Sequence, residues 1–360
     1  MSTTLTNTSK LREYVEELKR LKVEVVRPSI NKCFAEFKAE TNKIFYGLGA
    51  IKSVGFEAIS NIINEREKDG KFKSFVDFIN RVNPKDVNKL QLEGLVKAGA
   101  FDEIDPNRRK LIESIPKIIL TIKSKYEEKI SNQSNLFGLD DNRENENFEF
   151  ETSEKWTSKE LLAEEFKSLG FYISDHPLNE YKEFFTQLKI NSYKDFISND
   201  KSEALVAGTI MSIQEKKSAK GTSFAIIKFS DNLSEFEIFL FSDLLTLNRD
   251  KLKESNSFVL TLQKDKKNLG NAQRRINIKK LVNLSELVNK TYESVSIELS
   301  DKKKLKELNE LLNKAGETKI NVVLKDNSKN YKFELEQSRK FDFNLFSLIK
   351  NKEYVKKISF

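Results

Sequence analysis

The sequence predicts a multidomain α+β protein that begins with helices, continues with a five-stranded β-barrel and ends in a small α+β domain. Three observations support this prediction. Apolar residues recur at helical spacing up to about residue 200, they alternate with polar residues from residue 204, and strand and helix patterns alternate after residue 289. The 360 residues suffice for two or three domains of roughly 100–200 residues each.

Composition argues against a membrane protein, a secreted protein and several kinds of metal site. The apolar runs fall well short of the ~18 residues of a membrane-spanning helix, and no apolar signal-peptide region follows the N-terminus. One cysteine, Cys33, excludes an internal disulfide and a zinc site of several thiolates. One histidine, His176, excludes sites built on two imidazoles. We therefore expect a cytoplasmic protein that does not contact a membrane.

Helical spacing organises the N-terminal part of the chain. Residues 11–21 predict a helix and residues 23–26 a strand without a partner, so we interpret residues 1–40 as the remnant of a larger domain. Residues 41–115 predict a compact module of short helices joined by glycine turns, without strands. The second of these helices begins with the capping box Ser74–Asp77.

Charge divides the middle of the chain. The net charge of +8, from 63 basic and 55 acidic residues, favours an acidic partner only weakly, because lysine-rich compositions also arise from coding bias. The distribution of charge along the chain is more informative. Residues 116–139 predict a basic helix, which Pro116 interrupts early, followed by an accessible peptide. Residues 140–158 predict an acidic mobile linker, because residues 140–154 hold seven carboxylates and one arginine. Residues 159–200 predict a helical connector.

Alternation of period two predicts a β-rich domain over residues 201–288. Five short strands with a helix after the third are typical of an oligonucleotide-binding (OB) barrel. The predicted strands are Ala204–Ile213, Phe224–Phe229, Phe236–Phe241, Phe258–Gln263 and Arg275–Lys280, with the helix at Leu244–Leu252. Residues 289–360 predict a separate α+β domain, whose helix Lys302–Ala315 is capped by Asp301 and Gly316.

The sequence carries no catalytic pattern. It has no G-x-x-x-x-G-K-[ST] phosphate loop, no G-x-S-x-G elbow, no H-E-x-x-H and no two aspartates separated by one residue. His176 lies in a turn-like Ser-Asp-His-Pro-Leu context and Cys33 has no histidine nearby in the sequence, so structural roles are favoured for both. We expect no catalytic residue, metal site or cofactor in this chain.

Two glycine turns predict contacts with duplex DNA. The first comprises Lys52, Ser53, Val54 and Gly55, and the second Lys97 and Gly99. The first resembles a helix–hairpin–helix turn, in which backbone N–H groups at the start of a helix bind a phosphate. The pattern of that motif has glycine at both ends of the turn, whereas Ser53 stands at the first end here. For each turn, a purely structural role is the alternative.

The predicted barrel offers a second binding surface. The loop after its first strand and the loop before its fifth are basic, and in OB barrels these loops flank the strands on which bases stack. The candidates for single-strand binding are Lys216, Lys217, Lys220, Phe224, Lys264, Lys266, Lys267, Arg274 and Arg275. The alternative for most of the phenylalanines is that they alternate into the barrel core.

A short peptide between the basic helix and the acidic stretch predicts a docking motif. Gln133, Leu136 and Phe137 combine a polar anchor with an apolar–aromatic pair, which suits a hydrophobic cleft on a partner protein. Five residues also match by chance, so the motif alone does not identify the partner.

Taken together, these stretches resemble the C-terminal third of the bacterial DNA polymerase III alpha subunit, the replicative polymerase of the C family. They fall in the order of that family over most of the chain, which is more specific than any one of them. The matching stretches are Tyr46–Gly55, Leu95–Asp102, Gln133–Gly138, Leu169–Leu178 and the start of the barrel at Val206–Ile210.

The resemblance implies a function in DNA replication. Residues 1–40 would be the end of the fingers domain, and residues 41–115 a tandem helix–hairpin–helix module that grips duplex DNA. Gln133, Leu136 and Phe137 would dock on the beta sliding clamp, and the OB domain would lie near single-stranded template. Residues 289–360 would contact the tau subunit of the clamp loader. The protein would then be nucleoid-associated.

The resemblance also implies what this sequence does not contain. The palm domain, with its catalytic aspartates and magnesium ions, has no counterpart here, so we expect the chain alone to add no nucleotides to a primer, although the family is a DNA-directed DNA polymerase. We expect a truncated or split gene product, or an excised fragment. One alternative is an active polymerase formed with a second, palm-bearing chain. Another is a general single-strand-binding or repair scaffold with an unrelated OB barrel.

Overall fold

The computed structural model describes residues 7–130, 148–265, 276–289, 291–326 and 329–360. The chain forms two compact units, an N-terminal unit (Met1–His176) and a C-terminal unit (Pro177–Phe360). None of the described helices is both long and apolar enough to cross a membrane.

The N-terminal unit is mainly helical. Its helices are α1 (Thr8–Arg20), α2 (Phe56–Asp69), α3 (Phe75–Arg81), α4 (Lys89–Lys97), α5 (Arg108–Ile130) and α6 (Ser158–Leu169), and its strands are β1 (Glu24–Val26), β2 (Lys38–Glu40) and β3 (Lys43–Phe45). The strands pair in the order β1-β3-β2, with β1 parallel and β2 antiparallel to β3. The expectation of a module without strands was therefore wrong at β3. A three-residue strand is too short to display a period of two.

Local side-chain chemistry fixes the helix ends. The hydroxyl of Ser74 accepts a hydrogen bond from the amide of Asp77 at 3.0 Å, which confirms the predicted start of α3. Asn88 and Gln91 form a reciprocal capping box at the start of α4. Gly70 ends α2 with a φ of +81°, a conformation that favours glycine. The module is therefore built from helices whose limits are encoded locally.

Helix α5 passes through Pro116, so the predicted interruption at that residue was wrong. A proline inside a helix costs about 3 kcal/mol, because it removes a hydrogen bond and its ring clashes with the preceding turn. One face of α5 is buried, and each large apolar side chain buried there stabilises the folded state by about 1.5–3 kcal/mol. The buried residues of that face are Leu111, Ile115, Ile118 and Ile122. Packing therefore outweighs the local cost.

Of the predicted acidic linker, residues 140–147 lie outside the described residues, and residues 148–153 form a strap along α5. The amide of Glu151 donates to the hydroxyl of Ser114 at 3.0 Å, and the ammonium of Lys117 donates to the carbonyl of Glu149 at 2.8 Å. The strap therefore belongs to the packed N-terminal unit and is not a free linker.

The C-terminal unit contains two sheets with helices between and around them. Its helices are α7 (Lys182–Gln187), α8 (Tyr193–Ser198), α9 (Ser242–Asn248), α10 (Leu284–Val288), α11 (Leu305–Leu311) and α12 (Phe343–Lys350). Its strands are β4 (Glu203–Lys217), β5 (Ser223–Ser230), β6 (Glu235–Leu240), β7 (Ser257–Lys264), β8 (Ile276–Asn283), β9 (Ser294–Leu299), β10 (Ala315–Asp326), β11 (Lys329–Glu334) and β12 (Val355–Ser359).

The five predicted strands of the β-rich domain are present as β4 to β8. They pair antiparallel in the order β6-β5-β4-β7-β8, and α9 follows the third strand. Phe229, Ile238 and Phe258 point into the core that the curved sheet encloses. The edge strands β6 and β8 approach each other, but no ladder joins them in the described part of the chain, so the sheet is open.

The second sheet has the order β11-β10-β9-β12 and packs with α11 and α12 around Ile297, Ile320 and Phe346. Asp301 accepts a hydrogen bond from the amide of Lys303 at 2.9 Å, as a helix-starting cap does. The predicted helix end was wrong, since α11 stops at Leu311 and β10 already begins at Ala315. A Cβ on Gly316 would lie 2.3 Å from the amide nitrogen of Lys340, so this glycine permits two backbones to meet instead of capping a helix.

Candidate nucleic-acid interface

The first predicted turn lies at the entrance to α2. It follows a single 3₁₀ turn (Leu48–Ala50), and the amide of Val54 closes it by donating to the carbonyl of Ile51 at 3.1 Å. Ile51 and Val54 are buried, whereas Lys52 and Ser53 are exposed. The turn is therefore anchored by two apolar side chains and presents the residues between them to solvent. We call residues 51–55 the hairpin.

The start of α2 is open to an anion. Gly55 is the residue that precedes the helix, and it has no side chain that could accept from the first-turn N–H groups. Those groups and the positive end of the helix dipole favour a bound phosphate. The exposed ammonium of Lys52 adds to the attraction, whereas the exposed carboxylate of Glu57, in the first turn, opposes it.

Ser53 departs from the glycine expected at its position, and the structure shows the consequence. Its φ is +65°, in the left-handed region that glycine adopts without strain. The serine keeps the shape of a glycine turn but places a Cβ at the surface where a phosphate backbone would approach. The hairpin geometry is thus retained at a cost in backbone strain.

The second predicted turn is held together by internal ion pairs. The ammonium of Lys97 lies 3.3 Å from a carboxylate oxygen of Glu164 and 3.8 Å from one of Glu93. Gly99 has a φ of +81°, and a Cβ there would lie 2.2 Å from the guanidinium of Arg108. These contacts fit the structural alternative for this turn, because its lysine is already paired with carboxylates.

The first loop of the five-stranded sheet carries the predicted basic cluster. Lys216 and Lys217 are exposed at the end of β4, and Lys220 is exposed in the turn that leads to β5. Lys216 is the cross-strand partner of Phe224. The structure therefore brings this lysine and this phenylalanine together on neighbouring strands.

Phe224 belongs to an aromatic pair on the outer face of the sheet. Its ring centre lies 6.1 Å from that of Phe239, whose side chain is 43% exposed. Phe241, 50% exposed, lies two positions later, directly after the last residue of β6. Phe229 and Phe236 point the other way and are buried, as the core alternative predicted for most of the phenylalanines. We call Phe224, Phe239 and Phe241 the outer aromatic face.

Sequence reasoning missed Phe239 and Phe241 as candidates. The signal was present, because Phe236, Ile238 and Leu240 alternate inward along β6 and leave the odd-numbered positions outside. A phenylalanine on the solvent side of a strand is the informative case, since buried ones are expected.

Lys264 lies inside the C-terminal unit instead of on the binding loop. Its side chain is buried, and its ammonium donates to backbone carbonyls of Phe196 and Ile197 at 2.6 and 3.3 Å. A third carbonyl, that of Asn199, also accepts from it. This ammonium is therefore committed to the end of α8 and is not presented to a nucleic acid.

The remaining candidates lie outside the described residues. They are Lys266, Lys267, Arg274 and Arg275 in the loop before β8, and Gln133, Leu136 and Phe137 in the predicted docking peptide.

The hairpin lies in a stretch of the chain that matches a known family. Residues 22–111 match the helix-hairpin-helix motif. The matched stretch contains the hairpin, α2, α3 and α4, and it ends in the first turn of α5.

Curated relatives extend the similarity over most of the chain. The chain is 31% identical to the DNA polymerase III subunit alpha of Borreliella burgdorferi over 356 residues, which cover 94% of this chain and 30% of that protein. It is 32% identical to the corresponding subunit of Campylobacter jejuni, over 69% of this chain and 21% of that protein. The Caulobacter vibrioides subunit is 30% identical over 73% of this chain and 23% of its own length. The chain thus spans less than a third of the relatives it matches.

Proposed function

Since the chain belongs to the family of bacterial DNA polymerase III alpha subunits and matches a C-terminal part of them, we propose that it binds DNA and the beta sliding clamp as part of a replicative polymerase. It holds primer–template through the N-terminal unit, contacts single-stranded template through the five-stranded sheet, and tethers the polymerase to the beta sliding clamp. The observation that carries the proposal is the exposed hairpin at the open start of α2, inside the matched helix-hairpin-helix region.

Duplex binding through the hairpin is tested by salt titration. The full chain should bind a short labelled duplex, and the logarithm of the binding constant should fall linearly with the logarithm of salt concentration, because phosphate contacts release counterions. Lys52→Glu should weaken binding to all sequences and reduce the slope by about 1. Absence of measurable duplex binding at low salt would refute this part of the proposal.

Single-strand binding rests on the C-terminal unit. The strand order and the helix after the third strand agree with those of an OB barrel, whose second and third strands and flanking loops bind oligonucleotides. In this chain those strands are β5 and β6, which carry the outer aromatic face beside the basic loop. Changing Lys216, Lys217 and Lys220 together to glutamate should lower oligonucleotide affinity. Unchanged affinity would remove this sheet from the path of the DNA.

Clamp binding rests on the resemblance and on the docking peptide. Replacing Leu136 and Phe137 by alanine should abolish binding of the chain to purified beta clamp, because the apolar–aromatic pair supplies most of the energy of such peptides. Retained clamp binding by the double variant would exclude these residues as the anchor.

The last part of the chain is proposed to contact the tau subunit of the clamp loader. Strand β11 lies at the edge of its sheet in the described structure and exposes Tyr331 and Phe333, 46% and 47% accessible. Exposed aromatic side chains on a sheet edge are typical of protein-binding surfaces. Changing both to serine should weaken tau binding without affecting clamp binding.

The chain is proposed to lack polymerase activity by itself, since the palm aspartates have no counterpart in its sequence. Purified chain should not extend a primer with magnesium and nucleotides. Co-purification with a palm-bearing chain and activity of that complex would favour the complementing alternative.

A general single-strand-binding or repair scaffold is the second candidate function, and the outer aromatic face favours it independently of any polymerase. This alternative predicts oligonucleotide binding without clamp binding. Clamp binding that depends on Leu136 and Phe137 would exclude it.

A further inference from the structure

The backbone of the hairpin is hydrogen-bonded to α6, a helix that lies outside the stretch matching the helix-hairpin-helix motif. The amide of Lys52 donates to the carbonyl of Ser168 at 3.0 Å. Ser168 is in the last turn of α6, whereas the helix-hairpin-helix match ends at residue 111. The backbone of the predicted phosphate-binding turn is thus tied to a helix more than a hundred residues further along the chain.

A second hydrogen bond locks α6 to α4 at the same place. The hydroxyl of Ser168 is buried and donates to the carbonyl of Gly94 at 2.8 Å. A Cβ on Gly94 would lie 2.8 Å from the carbonyl oxygen of Lys52 and 3.1 Å from a methyl group of Val54. The backbone of the hairpin therefore lies directly against Gly94 of α4, and the Ser168 hydroxyl joins α6 to the same residue.

Helix α6 is itself firmly placed. Thr157 and Glu160 form a capping box at its start, and Glu164 pairs with Lys97 of α4 at 3.3 Å. Near its end the buried carboxylate of Glu165 accepts hydrogen bonds from the amides of Ile173 and Ser174 at 2.9 and 3.1 Å. These contacts fix the Ser168 carbonyl that the hairpin uses.

We propose that Ser168 is a positioning residue for DNA binding, and that α6 completes the duplex-binding site by holding the hairpin in its phosphate-binding shape. The inference rests on the proposed duplex binding through the hairpin. Backbone N–H groups bind a phosphate well only when their positions are set in advance, because ordering them on binding costs affinity. The first part of the region predicted as a helical connector, which contains α6, is on this account part of the DNA-binding module.

The test compares Ser168→Ala with a matched control in the same unit. Ser114 is also a buried serine whose hydroxyl donates to a backbone carbonyl, that of Lys110, at 2.8 Å; it accepts in addition from the amide of Glu151 in the strap, so the control loses at least as many hydrogen bonds. Ser168→Ala should weaken binding of a short duplex by up to about tenfold, the limit reached if the full contribution of the lost hydrogen bond between α6 and α4 serves to position the hairpin. Ser114→Ala should leave the affinity unchanged. Both are measured in the full chain at a temperature where circular dichroism shows each variant folded.

The salt dependence separates positioning from direct contact. Ser168→Ala should keep the wild-type slope of log affinity against log salt, because no phosphate contact is lost, whereas Lys52→Glu should reduce it. Ser168→Cys, which retains a weak donor, should recover part of the affinity. In hydrogen exchange, the Lys52 amide should exchange faster in Ser168→Ala than in Ser114→Ala.

Gly94→Ala provides a second, independent variant. Alanine favours the helix, but its Cβ would meet the Lys52 carbonyl and displace the hairpin, so duplex affinity should fall although α4 remains intact. If Ser168→Ala does not fold, duplex affinity and Lys52 amide exchange in Ser168→Cys decide the role of Ser168, and Gly94→Ala shows whether displacing the hairpin lowers duplex affinity. Wild-type affinity in the folded variants would overturn the inference, whereas a wild-type chain that binds no duplex would refute the proposed function instead.

Discussion

The ammonium group of Lys264 lies 4.6 Å from the centre of the Phe196 ring and donates to backbone carbonyls at the end of α8. A cation in this position satisfies carbonyl groups that a helix leaves without partners and interacts favourably with the negative end of its dipole. The residue thus stabilises the junction between α8 and β7.

Lys264→Met should therefore destabilise the C-terminal unit. Methionine retains most of the apolar length but leaves the carbonyls without a donor, so the free energy of unfolding should fall by about 2–4 kcal/mol. Urea denaturation measures this change. The control is Lys216→Met at an exposed site, which should change stability by no more than about 0.5 kcal/mol. An equally small effect of both substitutions would contradict the structural role of Lys264.

The outer aromatic face should contribute to oligonucleotide binding through stacking. Phe239→Ala should weaken binding of a labelled single strand by about 1–3 kcal/mol, the range for loss of one stacked base. Fluorescence anisotropy measures the affinity. Leu233→Ala removes another exposed apolar side chain of the same unit, 70% accessible, and should have no effect. If both variants bind as the wild type does, the aromatic face is not a binding surface.

The features predicted correctly from the sequence are those whose cause is local. Ser74 and Asp77 are close in sequence, so the hydrogen bond from the amide of Asp77 to the hydroxyl of Ser74 could be predicted; the carboxylate of Asp77, however, accepts from the amide of Lys73, so the predicted reciprocal capping box is not formed. The alternation along β5 and β6 placed those strands within one residue of their observed limits, because one face of each strand is buried. The hairpin was found for the same reason, since Gly55 immediately precedes its helix.

The features that the sequence did not reveal depend on distant contacts. Pro116 predicts a break in α5, but packing of the helix overrides it. Lys264 has the same local context as a loop lysine, and its burial depends on α8, more than sixty residues earlier. Likewise, nothing in the sequence around Ser168 indicates that its carbonyl holds the hairpin.

Burial of Cys33 should make the stability of the N-terminal unit depend on pH. Burial raises the pKa of its thiol to about 11. In the unfolded chain the thiol ionises near pH 8.5, so above that pH only the unfolded state loses the proton, and stability falls by up to about 1.4 kcal/mol per pH unit until pH 11.

The measurement compares wild type with Cys33→Ala in urea at pH 7.5 and 9.5. Between these values the wild type should lose about 1 kcal/mol more than the variant, which lacks the titrating group. Cys33→Ala also lowers stability at both pH values, so the comparison uses the change with pH. Parallel changes in the two proteins would show that the thiol is not held neutral by folding.

Ser53→Gly should stabilise the N-terminal unit and strengthen duplex binding. Relief of the left-handed strain should raise the free energy of unfolding by about 1–2 kcal/mol. The greater conformational freedom of glycine in the unfolded chain should lower it by about 0.4–1 kcal/mol. Loss of the Cβ lets a phosphate come closer to the hairpin. Ser255→Gly is the control, because Ser255 has a φ of +68° in the other unit and should gain stability there without a change in duplex affinity. Weaker duplex binding by Ser53→Gly would show that the serine hydroxyl itself contacts the DNA.

Glu57→Gln should change stability and duplex affinity in opposite directions. The carboxylate lies in the first turn of α2, where its attraction to the helix dipole contributes about 0.3–1 kcal/mol, so its neutralisation should lower the free energy of unfolding. The same carboxylate repels a phosphate bound at the helix start. Its removal should therefore raise duplex affinity about twofold to fivefold at low salt, with the gain disappearing near 0.5 M salt as the charges are screened.

Glu67→Gln is the matched control for this charge change. Glu67 is exposed near the opposite end of the same helix, ten residues from Glu57 and hence about 15 Å away along the axis. That distance exceeds the screening length of about 8 Å at physiological ionic strength, so duplex affinity measured there should not change, and the two variants are compared at that ionic strength. Stability should stay constant or rise, because a negative charge is unfavourable at the C-terminal end of a helix. Equal effects of the two variants on affinity would mean that the DNA responds to net charge and does not bind at the start of α2.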